Sequence, residues 1–308
     1  MTTVETNVLD PARSASLAAA LREAADAADR MLDSLLPAPS GLHARVHEAM
    51  RYAVFAGGKR LRPFLTIASA GLFDVPPSRA VRVAAAIEAL HTYSLVHDDL
   101  PCMDDDDLRR GRPTTHRQFD EATAVLAGDG LLTVAFGILA DPATHPKGDV
   151  RAELVARLAL AGGSEGMIGG QMIDLLAPER AYGEADVIQL QAMKTGALFE
   201  FSCAAGPILA AADEADRRRL DDFARDFGLL FQITDDLLDV LGTAESAGKA
   251  VGKDQAQGKA TLISLYGVDK ARSEARRLAS RAAERLAPYG PAADDLRALP
   301  FSLLGRAS

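Results

Sequence analysis

Apolar residues recur in this chain at intervals of three and four over nearly its whole length. A chain so patterned buries its apolar side chains as helices. Residues 14–36, SASLAAALREAADAADRMLDSLL, set Leu17, Leu21, Ala24 and Ala28 along one stripe. Ala, Leu, Glu and Arg dominate, and all are strong helix formers. Pro37 and Pro39 close that first segment, and Gly57-Gly58 closes the next. The spacing predicts helices over 14–36, 41–56, from near Pro63 (a first-turn position), 78–99, 118–139, 149–161, 164–176, 184–212, 214–241, 259–287 and 291–304. Period-2 strands and internal repeats are missing. The fold class is therefore all-α: one domain over 1–308, a bundle of about ten or more helices. Residues 1–12, 141–149 and 242–259 are expected to be the least ordered.

Composition narrows the function. With 48% hydrophobic and 25% charged residues, the balance is that of a globular protein. The longest nearly apolar run, Leu131 to Ala140, falls short of the ~20 residues a membrane span needs. Glu5 and Asp10 replace the basic start of a secretory signal. Two cysteines, Cys102 and Cys203, cannot make a disulfide framework, so a cytoplasmic location is expected. A net charge of −9 disfavours nucleic acid. With no Trp and 5% aromatics, the core is expected to be Ala, Leu, Val and Ile.

Two acidic clusters stand out. The first is HDDLPCMDDDDLRRGRPTTH, residues 97–116, with Asp98, Asp99 and Asp104–Asp107 ahead of Arg109, Arg110 and Arg112. An isolated acidic run is usually a solvated loop. This one directly follows an apolar helix and runs into an arginine pair, which makes a site of both signs. Asp98 and Asp104 are six apart, about 240° round an ideal helix. Pro101 forbids a continuing helix, so the chain is expected to end or bulge after Asp99 and swing Asp104 back toward Asp98. The second cluster is FQITDDLLD, residues 231–239, with Asp235 and Asp239 on one helical face among apolar neighbours. Such a pair repels unless a cation lies between. Carboxylates without clustered His or Cys point to Mg²⁺ rather than Zn²⁺, and Mg²⁺ takes its remaining ligands from water and substrate phosphates.

Bound phosphates also need cations from the chain. GGKRLRP, residues 57–63, places Lys59, Arg60 and Arg62 at a helix start, where amides and guanidinium groups favour anions. Lys194, inside an apolar helix, needs a counter-charge. Lys249, Lys253 and Lys259 follow the second acidic cluster. Acidic pairs, cations and long apolar helices together suit an apolar substrate carrying a diphosphate.

These segments, with GGQMID (169–174), KTG (194–196) and GKDQAQGKAT (252–261), resemble the all-trans short-chain polyprenyl diphosphate synthases of the bacterial farnesyl/geranylgeranyl type, over roughly residues 30–300. The resemblance implies an isoprenoid-synthase fold around a central cavity, and a homodimer. It implies three Mg²⁺ ions, held by Asp98 and Asp104 from one wall and by Asp235 from the other. Asp99 and Asp239 would support them directly or through water. Lys59, Arg62, His91 and Arg110 would hold isopentenyl diphosphate. Arg109, Lys194, Thr195, Gln232, Lys249 and Lys259 would hold the allylic diphosphate, with Gln171 and Asp174 lining the same cavity. Lys253 receives no firm role. Asp98, Asp104, Asp235 and Lys194 would carry the chemistry.

The implied reaction joins isopentenyl diphosphate to dimethylallyl and geranyl diphosphates, mainly to C15 farnesyl diphosphate, with C20 geranylgeranyl diphosphate as the alternative. Ser94 lies one turn, ~5.4 Å, below Asp98, and Tyr93 flanks it; the pair is expected to form the floor that limits chain length. Leu262-Ile263 departs from the Tyr-Pro the family often carries there. A terpene cyclase would lack the second-substrate cations, and a non-catalytic partner subunit would have lost one acidic motif.

Overall fold

The protein is seen here in a computed structural model, which describes residues 9–177, 180, 182–241 and 262–305. The described residues are almost entirely helical. In order, the helices are α1 (Pro11–Leu35), α2 (Ala44–Val54), α3 (Leu61–Gly71), α4 (Pro77–Asp98), α5 (Thr115–Gln118), α6 (Glu121–Ala140) and α7 (Gly148–Gly162). There follow α8 (Met167–Leu176), α9 (Glu184–Gln191), α10 (Ala197–Leu209), α11 (Glu214–Leu241), α12 (Leu262–Tyr266), α13 (Val268–Arg285) and α14 (Asp294–Leu304). A two-residue hairpin, β1 (Leu108–Arg109) with β2 (Arg112–Pro113), pairs antiparallel within the acidic segment.

Local chemistry sets the boundaries. Asp10 caps α1 by accepting the Arg13 amide at 2.8 Å, and Pro11 opens the helix. Leu17, Ala24 and Ala28 then form its buried stripe. The helix expected from 118 starts at Glu121, because Asp120 adopts an extended backbone and caps α6 through the Thr123 amide at 2.7 Å. The helix expected over 184–212 contains a π-helical turn, Ala192–Gly196, between α9 and α10. Gly267, at φ 75°, separates α12 from α13 within the segment expected to be one helix. The 141–149 turn, expected to be loosely held, is tied down. Thr144 is fully buried and donates to the Ile138 carbonyl at 2.5 Å, and Arg82 holds Asp141 at 2.7 Å. The stretch 242–259 lies outside the described residues.

Helices α3, α4, α10 and α11 form the centre. α4 packs on α3 and α6, α10 crosses α3 and α7, and α11 lies between α10 and α13. The α3–α10 crossing depends on Gly206, where a Cβ would sit 2.5 Å from the Ser69 backbone. One core gathers around Ile87, Leu90, Leu131 and Leu158, and a second around Leu65, Phe223, Phe227 and Leu278. The expectation of a purely aliphatic core needs correcting. Phe199, Phe201, Phe223 and Phe227 are among the largest fully buried side chains, and Phe199 meets Phe227 edge-on at 5.1 Å. Helix α6, with a mean hydropathy of 1.8, does have the length and composition of a membrane span. Ala124, Ala127, Gly128 and Leu131 on it are buried, while Val125 and Leu126 stay 40% and 58% exposed.

Candidate active site

A cavity of about 480 Å³ opens between α4, α6, α8 and the start of α10. Its polar lining is Arg62, His91, Asp98, Gln171, Lys194 and Thr195. Its apolar lining includes Tyr93, Val125, Ile168, Met172, Leu175 and Leu198.

The acidic turn is built by the end of α4. The helix stops at Asp98, with Asp99 as its cap, and the Leu100 amide donates to the His97 carbonyl at 3.2 Å. The chain then folds back until the Asp104 amide donates to the Asp98 carbonyl at 2.9 Å. That is the return expected from Pro101. Burial pushes the Asp98 carboxyl up to about 6, with Asp104 and Asp99 adding to the shift and Lys194 and Arg109 opposing it. Asp99 turns elsewhere. Its side chain is buried, takes the Arg109 guanidinium at 2.6 Å and does not line the cavity.

The cations divide by task. Arg60, which follows Lys59 in GGKRLRP, is turned inward to Glu88 and Asp29 and does not reach the cavity. Arg62 does reach it. Its Nη1 donates to His91 Nε2 at 3.1 Å, its guanidinium lies 4.6 Å over the Phe199 ring, and its buried Nε has no partner. Arginine is always a donor, so His91 carries its proton on Nδ1. Burial, and then the neighbouring Arg62, Arg110 and Arg109, hold His91 well below the ordinary histidine range. It therefore meets an anion as a neutral N–H donor. Burial lowers Arg62 to about 10, which leaves it charged at neutral pH. Arg110, at φ 54°, lies over Gly58, where a Cβ would come within 2.5 Å of its guanidinium. Lys59 is exposed on the same turn.

The π turn presents Lys194 and Thr195 to the cavity. The counter-charge Lys194 requires is Asp174 of α8, at 2.5 Å. The glycines of GGQMID make this possible: a Cβ on Gly170 would lie 2.6 Å from Lys194 Cα. Behind the turn, Gln191 donates to the buried Asp236 at 3.4 Å, tying it to α11. Asp235 and Gln232 are half-buried on α11 and Asp239 is buried; none of the three lines the cavity. Lys249, Lys253 and Lys259 lie outside the described residues.

Sequence reasoning missed the apolar wall. Ile168, Met172 and Leu175 form a 4-and-3-spaced stripe on α8, and they remain 44%, 56% and 37% exposed. The spacing was visible, but nothing in it distinguishes a cavity wall from a core face. The donor set fits Mg²⁺. Among the described residues no three His, Cys, Asp or Glu side chains converge on one point, as Zn²⁺ would need. Mg²⁺ needs only one or two carboxylates beside substrate oxygens, and the Asp98–Asp104 turn offers them.

A cavity that joins a carboxylate turn, an Arg–His pair and a Lys–Asp pair to an apolar wall suits a hydrocarbon with an anionic head. The chain belongs to the polyprenyl synthetase family, whose profile matches residues 43–288. It is 46% identical over 230 residues to a farnesyl diphosphate synthase of Geobacillus stearothermophilus, covering 73% of this chain and 77% of that protein. It is 44% identical over 257 residues to the farnesyl diphosphate synthase of Escherichia coli K12, covering 82% and 86%. A chloroplastic geranylgeranyl pyrophosphate synthase of Catharanthus roseus is 44% identical over 248 residues, covering 80% and 70%. The fold matches the apo crystal structure of an FPP/GFPP synthase from Zymomonas mobilis with a TM-score of 0.86 at 45% identity, covering 94% of this chain and 99% of that one. The family and fold expected from the motifs are borne out.

Proposed function

We propose that this prenyltransferase condenses isopentenyl diphosphate head-to-tail with dimethylallyl and geranyl diphosphates, and that C15 farnesyl diphosphate is its main product. The observation that carries the product length is Tyr93. It is only 8% exposed, yet it lines the cavity little more than one turn of α4 before Asp98. A bulky ring there limits how far a chain can grow from the polar lining. With Mg²⁺, dimethylallyl and isopentenyl diphosphates, the purified protein is expected to release mainly C15 product. C20 as the main product would move the floor elsewhere.

Asp98 and Asp104 on one side, and Asp235 and Asp239 on α11, would hold three Mg²⁺ ions. The metal would supply positive charge to the departing diphosphate. Lys194 and Thr195 hold the allylic diphosphate from the π turn, with Arg109, Gln232, Lys249 and Lys259 completing that subsite. The allylic C–O bond breaks and its electron pair leaves with the diphosphate. The apolar wall keeps water from the cation. Arg62, His91, Arg110 and Lys59 hold isopentenyl diphosphate so that its double bond attacks that cation. The proton then lost passes to the released diphosphate.

Arg62→Ala removes a charge-assisted hydrogen bond worth ~1.5–3 kcal/mol, so the isopentenyl diphosphate KM is expected to rise roughly 10-fold or more. A rise confined to the allylic substrate's KM would reverse the subsite assignment. Leu126 on α6, 58% exposed and outside the cavity lining, is apolar surface that a homodimer of one-domain subunits would cover. Light scattering that returned the 32.5 kDa monomer alone would remove this reading. Two free cysteines, Cys102 exposed and Cys203 buried, accord with a cytoplasmic setting, and recovery of the native enzyme outside the cytosolic fraction would exclude it.

A further inference from the structure

We propose that His97, seated on α6 in the notch left by Gly128, is the positioning residue that holds Tyr93 as the floor of the product cavity and so sets where chain growth stops. The inference rests on the prenyl-transfer reading and adds a second layer to the floor.

Three observations converge on this imidazole. Tyr93 and His97 are one turn apart on α4 and both line the cavity; their rings meet edge-to-face at 5.0 Å and 78°. His97 is tied on its far side: Nε2–H donates to the Val125 carbonyl of α6 at 3.0 Å. The ring also occupies the space of an absent side chain. A Cβ on Gly128 would collide with His97 Nε2 and Cδ2. Gly128 lies inside α6, and its backbone is not in the left-handed region. Glycine weakens a helix interior relative to alanine, so conformation gives no reason for it there. The seat for the imidazole does.

The physical consequence is a linked pair. Tyr93 alone is one side chain whose ring could turn aside as a longer hydrocarbon presses on it. Backed by a ring that is hydrogen-bonded to the next helix, it cannot yield without breaking that bond or separating α4 from α6. The floor therefore has two settings that substitution can move in opposite directions. Removing the His97 ring leaves Tyr93 unsupported and deepens the cavity. Filling the Gly128 notch pushes the ring toward Tyr93 and makes the cavity shallower.

The test compares product distributions for wild type, His97→Ala, Gly128→Ala and the double variant, using Mg²⁺ with dimethylallyl and isopentenyl diphosphates. The readout is the ratio among chains each enzyme releases, so a change in overall rate does not affect it. His97→Ala is expected to raise the C20:C15 ratio by about 10-fold or more, the scale on which a pocket discriminates by small hydrocarbon differences. Gly128→Ala is expected to shift product toward C10. The double variant is expected to behave like His97→Ala, because the added methyl then occupies a vacated notch; that non-additivity marks a direct contact. Should Gly128→Ala fail to fold, His97→Ala and the double variant still decide. An unchanged ratio in His97→Ala while Tyr93→Ala lengthens the product overturns the proposal. So does a C10 shift that persists in the double variant. A wild-type protein that makes no prenyl diphosphate overturns the parent reading, whereas prenyl products of unmoved length overturn only this one.

Discussion

Asp98→Ala is expected to lower turnover by at least ~10²-fold, the usual cost of removing a principal electrostatic stabiliser. The carboxylate sits where α4 stops, in the polar lining of the cavity, with Lys194 close enough to oppose the rise in its pKa. Among the described residues its side chain makes no hydrogen bond and no ion pair within 4 Å. Burial and two neighbouring carboxylates disfavour its charge, and Arg109 spends its hydrogen bonds on Asp99 instead. The loss should therefore appear in turnover and not in stability: the melting temperature of the metal-free variant is expected to be no lower than wild type. Asp104→Ala and Asp235→Ala should lower turnover on the same scale. Wild-type turnover by Asp98→Ala, or full activity in EDTA, would refute the assignment.

The contrast between Asp98 and Asp99 shows what a sequence conveys about such a site and what it withholds. That Asp104 returns to Asp98 was legible, because Pro101 forbids a continuing helix and the chain must turn. That Asp99 faces Arg109 was not, since the direction of a side chain at a helix end depends on where the following hairpin packs. Lys194 gave a half-answer. Its place in an apolar helix demanded a counter-charge, but Asp174 is twenty residues away and reaches it only because Gly170 lets α8 approach the π turn. The π turn itself left no pattern, because one extra residue in a helix changes no periodicity over so short a stretch. Helix content was easy to read and helix ends were not. Asp120 delayed the start of α6, and Gly267 broke a helix that the apolar spacing alone continued. The family was legible from its motifs and their order, which do not depend on knowing the packing between them.

Arg60 and Arg62, two residues apart in one motif, are both cations at a helix start, but only Arg62 was expected to hold substrate, and the structure gives Arg60 a different task. Arg60→Ala is expected to destabilise the protein by about 3–5 kcal/mol, the cost of breaking a buried ion pair by removing one partner. The Arg60 side chain is 1% exposed and Glu88 is 3% exposed, and they meet at 2.6 Å. Its other donors reach Asp29 of α1 at 2.9 Å and the Val54 carbonyl of α2 at 2.6 Å, so one guanidinium joins α1, α2 and α4 at the start of α3. The turn that aims it inward has its own signature: Gly57 and Gly58 at φ 87° and 136°, then Arg60 at φ 46°. Lysine cannot reproduce three divergent donations, so Arg60→Lys should recover little. Replacing both charges, as in Arg60→Met with Glu88→Met, removes the stranded carboxylate and should restore most of the loss. Equilibrium unfolding in urea measures all three variants. Arg62→Ala serves as the control, since its loss should fall on substrate KM. An Arg60→Ala protein within about 1 kcal/mol of wild type would show that the pair is dispensable.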